Sequence, residues 1–372
     1  MFLYFAALGL FVLYALLILY YYRHWKKVPG FLADDHPQVP VSLVIPARNE
    51  ASNLPHLLRA LEQQTYPAHL FEIIVVDDFS TDATAGIVSS SSLPNIKLIR
   101  PDGLPEDSSK KKAIATGIAV AKGELIVTTD ADCIPEQRWL QAITSFYEKK
   151  NASFIAAPVH YRPGKSWLHI FQSLDFLTLQ GITAASVNAD FHTMCNGANL
   201  AYTKEAFLKV GGFEGIDKKA SGDDMLLMHK IRALDPARIF YLKSPQAVVT
   251  TDPMPNLKSF LAQRRRWASK TFVYQDYRII AALGIVFLFN LLFPVLLIAA
   301  FFRPFYGWVF MGLWIWKTLL ETPFVRSVAR FYGDEKLLRY FFLFQPLHIL
   351  YTVSIGIISQ FGAYEWKGRK TK

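Results

Sequence analysis

Residues 2–22, FLYFAALGLFVLYALLILYYY, run without a single charge. A bilayer core takes about 20 apolar residues in a helix, and in lipid a helix satisfies its own backbone polar groups. This stretch therefore predicts a membrane helix. Similar stretches at 279–302, 305–320 and 340–361 predict three more. A cleaved signal peptide fits the first stretch poorly. It lacks a basic leader, its apolar part is too long, and bulky RHWKK follows it instead of a small-residue cleavage site.

At 372 residues the chain exceeds one ordinary core. Hydrophobic residues make up 52% and charged ones 19%, an apolar excess that the four stretches explain. Arg23, His24, Lys26 and Lys27 follow the first stretch; Arg264, Arg265, Arg266, Lys270 and Arg278 precede the second. Positive flanks stay inside, so residues 23–278 are expected in the cytoplasm. Arg326, Arg330, Lys336 and Arg339 place the loop before the last stretch inside as well. Three full C-terminal spans then put the tail WKGRKTK outside, against the same rule. Either one segment is re-entrant or the tail is an exception. The net charge of +10 would suggest nucleic acid in a soluble protein. Here the cations sit beside the spans, so anionic lipid is the expected partner and nucleic acid is not. Cys133 and Cys195 are expected as free thiols, and no Cys/His cluster suggests zinc.

Between 41 and 250 apolar runs alternate with helix-like segments. VSLVIP, FEIIVV, IKLIR and ELIV read as strands, and ASNLPHLLRALEQQ and KKKAIATGIAVAKG read as helices. That order predicts a mostly parallel α/β sheet, whose ligands lie beyond the C-terminal strand ends. Arg48-Asn49-Glu50, Asp77-Asp78 and Asp130/Asp132 all fall there, too many to be independent turn caps. No Gly-x-Gly-x-x-Gly follows the first strand, and no P-loop occurs. Residues i and i+2 of an extended segment point the same way, so Asp130 and Asp132 converge at the end of ELIV. A hard divalent cation would relieve their repulsion; the plain alternative is a turn cap.

VSLVIPARNE, EIIVVDDFSTDAT, KKKAIATGIAVAKGELIVTTDADC, CNGANLAYTKEAFLKVGGF, SGDDMLLMHKI and QRRRW together resemble, in order, the signatures of the family 2 inverting glycosyltransferases. The resemblance spans about residues 40–270 and is closest to membrane-bound members. It implies a GT-A-type nucleotide-diphosphosugar-binding α/β domain with a mostly parallel sheet, plus about four transmembrane helices. It also implies Mg²⁺ or Mn²⁺ on Asp132 and Asp130, with Asp130 near ribose and phosphate. Pro46, Glu50, Lys110, Lys111 and either Asp77 or Asp78 would meet the nucleotide-sugar. SGDDM departs from the family's Glu-Asp pair, with Asp223 in the Glu position; Asp224 is the implied base and Asp223 the alternative. Arg266 would neutralise the leaving diphosphate, while Gln263, Trp267 and Asn199 would shape the acceptor site. Arg264 and Arg265 would belong to a juxtamembrane basic belt. His192 reads as a core or rim histidine. The amphipathic stretch 166–185 would lie along the membrane, cover the acceptor or be buried in the domain.

The expected organisation is an anchor at 1–22, a cytoplasmic glycosyltransferase domain at 23–278 and a transmembrane region at 279–372. The expected protein sits in a bacterial cytoplasmic membrane and moves a sugar from a nucleotide-diphosphate donor to a lipid or polysaccharide acceptor. Two other readings compete. A catalytically silent nucleotide-sugar-binding protein regulating a synthase would have lost base or metal residues, which are present. A nucleotidyltransferase would leave SGDD and QRRRW unexplained.

Overall fold

VSLVIPA forms a strand that is almost wholly buried, as a strand covered on both faces must be. The computed structural model describes residues 1–33, 37–105, 109–192, 194–216, 222–268, 276–359, 364–366 and 369–371. Ser221 of SGDDM and the flanking Lys270 lie outside the described residues. The helices are α1 (Phe2–Lys27), α2 (Leu54–Glu62), α3 (Thr84–Ser89), α4 (Lys110–Val120), α5 (Trp139–Lys150) and α6 (Trp167–Ala189). They continue with α7 (Lys204–Lys209), α8 (Met225–Leu234), α9 (Leu257–Ala268), α10 (Tyr277–Phe302), α11 (Phe305–Tyr332) and α12 (Phe341–Ile358). The first strands are β1 (Val41–Ala47), β2 (Phe71–Asp77), β3 (Ile96–Ile99), β4 (Leu125–Thr128) and β5 (Ile134–Pro135). Then come β6 (Phe154–Ala156), β7 (Val159–Tyr161), β8 (Leu200–Thr203), β9 (Ile239–Tyr241) and β10 (Val249–Thr251).

Two compact units result. The sheet unit comprises Val28–Arg162 and Thr193–Asp252. Its seven-stranded sheet runs β3-β2-β1-β4-β8-β6-β9. Every neighbouring pair is parallel except those of β8, which lies antiparallel to β4 and β6. The register sets Val44 beside Thr128 and Ala47 beside Asp77, so β1, β2 and β4 end at one edge. Leu54, Leu57, Leu58 and Leu61 form the buried face of α2, as their spacing predicts. A side chain at Gly117 would collide with Val44 and Val76, so its absence lets α4 sit close on β1 and β2.

The helical unit comprises Met1–Lys27, Pro163–His192 and Pro253–Lys372. The expected division at 1–22, 23–278 and 279–372 follows membrane crossing, whereas this unit is defined by packing: it takes in α6, which packs along α1 and α11, and α9, which packs on α12. Among the described residues, three helices are long and apolar enough to cross a membrane: Phe2–Lys27, Tyr277–Phe302 and Glu335–Ile358. The expected stretch at 305–320 falls in α11, which carries Lys317, Glu321, Arg326 and Arg330.

Helix α11 runs parallel to α1. Tyr4 meets Phe305 at a ring distance of 5.8 Å near one end, and Trp25 donates to Ser327 at 3.0 Å near the other. Between them lies a polar cluster. Lys317, fully buried, pairs with Glu321 at 2.7 Å and donates to the Gln345 carbonyl at 2.5 Å. Gln345 donates in turn to Glu321 at 2.7 Å, and the Tyr14 hydroxyl also donates to Glu321. Removing one member of a buried ion pair strands the other charge, which costs about 3–5 kcal/mol, whereas an apolar replacement of both is near neutral. Lys317→Met is therefore expected to lower the melting temperature of the detergent-solubilised protein sharply. Lys317→Met with Glu321→Leu should recover most of that loss.

Candidate functional site

Strand β4 ends at Thr128, and the chain turns through Asp130, Asp132 and Cys133. One donor atom from each of these three lies within 4.8 Å of the others. Cys133 is buried, and both burial and the Asp132 and Asp130 carboxylates push its thiol well above its ordinary pKa. Its sulfur is a soft donor, which Mg²⁺ and Mn²⁺ do not favour. Two carboxylates remain, a hard oxygen set that fits Mg²⁺ or Mn²⁺.

Lys110 opens α4, after the Ser109 side chain caps it. Its ammonium lies 2.5 Å from Asp130 and 3.3 Å from Asp223. Burial opposes its charge, but Asp130, Asp223 and Asp224 outweigh that and hold its pKa above the ordinary value. It is a fixed cation at neutral pH. Asp224 stands at the N-cap of α8. It accepts from the Met225 N–H at 2.8 Å and from the Gly197 N–H at 3.1 Å.

The loop 196–199 ties the two acidic segments together. Thr129, just past β4, donates to the Ala198 carbonyl at 2.8 Å, while Gly197 holds Asp224. A side chain at Gly197 would stand 3.2 Å from the Lys110 ammonium and 3.3 Å from Asp223, so the backbone itself lines the site. Asp130, Asp132, Lys110, Asp223, Asp224 and Gly197 thus form one cluster.

The remaining expected residues sort by geometry. Pro46, Glu50, Asp77 and Asp78 occupy the same sheet edge, at the ends of β1 and β2. Glu50 accepts from the Asn53 amide at 2.7 Å. Asp77 is fully buried, its oxygens taken by the Ser80 N–H at 3.0 Å and by Arg100 at 2.8 Å. Arg48 donates to the Asp78 carbonyl at 2.9 Å. Two of the expected residues have partners away from this cluster. Lys111 does not join Lys110; successive helix positions diverge, and its ammonium donates to the Ile216 carbonyl at 2.6 Å. Asn199 is completely buried, receives the Trp139 indole N–H at 3.0 Å, and donates to the Pro158 and Ala247 carbonyls, each at 2.8 Å.

Gln263, Arg266 and Trp267 sit on α9, in the helical unit. The neighbouring Arg264 is no member of an exposed basic belt. It is buried, pairs with Asp175 of α6 at 2.8 Å, and stacks on Trp267 at 4.2 Å. Nothing in the one-dimensional pattern separates it from Arg265; the signal lies in Asp175, a lone acid in an apolar helix. His192 is buried and bonded to the Tyr21 hydroxyl at 2.6 Å, as expected for a core histidine. Both cysteines are free thiols.

Residues 42–211 match the family model described as Glycosyl transferase family 2. Glycosyltransferase AglE of Haloferax volcanii is 32% identical over 123 residues, 32% of this chain and 40% of that protein. A dolichyl-phosphate beta-glucosyltransferase of Trichomonas vaginalis is 38% identical over 115 residues, 29% of this chain and 34% of that protein. The chain thus spans less than half the length of these two relatives. Among solved structures, the mannosyltransferase PcManGT from Pyrobaculum calidifontis in complex with GDP-Man and Mn²⁺ is similar with a TM-score of 0.63 at 20% identity. That likeness covers 96% of this chain and all of the other. The fold is therefore GT-A-type, an α/β unit with a mostly parallel sheet, accompanied by three apolar helices of membrane-crossing length. The segment 42–211 carries the pattern of family 2 glycosyltransferases.

Asn199→Ala would leave the Trp139 N–H and two carbonyls unpaired in the core. At about 1–3 kcal/mol for a buried orphan, the variant is expected to lose several degrees or more of melting temperature.

Proposed function

We propose that the protein is a membrane-bound, metal-dependent inverting glycosyltransferase that moves a sugar from a nucleotide-diphosphate donor to a lipid phosphate acceptor. The observation that carries this reading is the paired Asp130 and Asp132 at the end of β4, with Lys110 and the Asp223/Asp224 pair beside them. Support for the donor and ion comes from the neighbour bound to GDP-Man and Mn²⁺. Support for a lipid-phosphate acceptor comes from the name of the Trichomonas vaginalis relative and from three apolar helices.

In this reading Asp130 and Asp132 hold the divalent cation, which when bound supplies positive charge at the leaving diphosphate. Lys110 adds a permanent cation on the same side. Pro46, Glu50 and either Asp77 or Asp78 receive the nucleotide. Asp224 takes the proton of the acceptor phosphate in its monoprotonated form (second pKa about 6) as that oxygen bonds to C1 of the sugar from the face opposite the diphosphate. The C1–oxygen bond to the nucleoside diphosphate breaks with its electron pair, and the configuration at C1 inverts. The two N–H bonds that Asp224 accepts orient it and leave lone pairs free for the proton, since a carboxylate offers about four. Asp223 is the alternative base. Gln263, Arg266 and Trp267 serve the leaving group and acceptor, with Arg264 holding their helix through Asp175. The basic flanks support a catalytic domain at the cytoplasmic face.

The test uses the detergent-solubilised full chain, a panel of nucleotide-sugars, a polyprenyl phosphate, and Mn²⁺ or Mg²⁺. Nucleoside diphosphate release should require the metal. Asp132→Asn should weaken Mn²⁺ binding by about tenfold or more. Asp224→Asn should lower kcat by roughly 10²–10⁴-fold with donor binding little changed. Normal turnover by Asp224→Asn would remove it as the base, and metal-independent turnover would remove the cation from the scheme.

A further inference from the structure

The helical unit carries a charged cleft opposite in sign to the acidic cluster. It is a cavity of about 480 Å³ lined by Thr322, Arg326, Glu335, Lys336, Leu338 and Arg339. Thr322 and Arg326 lie one turn apart on α11 and share a face. Gly333, with φ of 76°, ends that helix. The chain then forms a 3-10 turn, Glu335–Tyr340, packed back on α11. Residues i and i+3 eclipse in such a turn, so Lys336 and Arg339 project together.

The cleft is not neutralised from within. Glu335 is its one lining acid, and Arg330 holds it at 3.1 Å. Arg326 and Lys336 have no carboxylate partner among the described residues, and Arg339 makes only a stacking contact with Tyr340 at 4.7 Å. Leu338 adds an apolar wall. The same turn opens Glu335–Ile358, a segment apolar enough to cross a membrane, on which Phe342 and Leu343 are exposed. Cations converging on one cavity, beside apolar side chains open to lipid, match a ligand with an anionic head and a hydrocarbon tail.

We propose that this cleft binds the phosphate group of an anionic membrane lipid. Arg326 and Arg339 grip phosphate oxygens through their planar forks, and Lys336 contributes a point charge. The site is separate from the proposed transfer reaction and does not depend on it.

Native mass spectrometry of the full chain in detergent tests this with added phosphatidylglycerol or phosphatidylcholine. At about 1 kcal/mol for each basic residue near anionic lipid, the triple variant R326Q/K336Q/R339Q should bind phosphatidylglycerol roughly tenfold or more weakly. A control of equal charge, R59Q/K122Q/K165Q, should stay within about twofold, and phosphatidylcholine binding should not change. Lys336→Glu, at an exposed position, should weaken phosphatidylglycerol binding in the same direction and serves if the triple variant does not fold. Equal loss in the control, or no loss in either cleft variant, overturns the site. Displacement of the lipid by millimolar inorganic phosphate overturns the lipid as its ligand and assigns the cleft to free phosphate.

Discussion

An ammonium caught among carboxylates governs the polar edge of the sheet unit. Lys110 begins α4, Asp130 follows β4, and Asp223 and Asp224 precede α8, yet they converge within a few ångströms. At an effective dielectric near 20, unit charges about 4 Å apart interact by about 4 kcal/mol. Without the lysine, these acids would repel strongly enough to splay the loops that carry them. With it, the cluster still holds four carboxylates against one ammonium, an excess of negative charge that favours a further cation. The strands beneath make this convergence possible, because β1, β2 and β4 are parallel and end together. Gly197 completes it by bringing backbone where any side chain would crowd the lysine.

Much of this was legible in the sequence, for physical reasons. Strands buried on both faces read as unbroken apolar runs, so β1, β2 and β4 stand out, whereas Asp130 and Asp132 are brought together by a turn that the Cys133 N–H closes on the Asp130 carbonyl, not by an extended segment. Other features depend on information that no local pattern carries. The reversal of β8 brings the 196–199 loop to the site from the start of its strand, not from its C-terminal end. Helical phase separates Lys110 from Lys111, but only the packing of α4 on the sheet decides which one faces the acids. Asn199 has the composition of a binding residue, and only its complete burial among two carbonyls and an indole reveals a structural tie. Arg264 sits in a basic run suited to a membrane surface, and its partner Asp175 lies on a different helix.

The helical unit answers a different constraint. Its apolar helices have little to gain by packing on one another in lipid, so polar contacts and close fit must select their partners. The pair of Lys317 and Glu321, with Tyr14 from α1 and Gln345 from α12, is such a contact and draws three helices to one point. The Arg264–Asp175 pair does the same for α9 and α6, where the Asp175 carboxylate and the Trp267 ring face replace the water that would otherwise surround the guanidinium.

The spacing of Lys317 and Glu321 along a single helix also bears on how the chain is made. Only Arg303 and Pro304 separate α10 from α11, so the two emerge from the ribosome as a hairpin. Four residues apart, the lysine and glutamate cancel each other's charge before any other helix arrives. The middle of α11 thus carries no net charge of its own, with Tyr14 already synthesised. Gln345 emerges after the other members, and its amide closes the cluster.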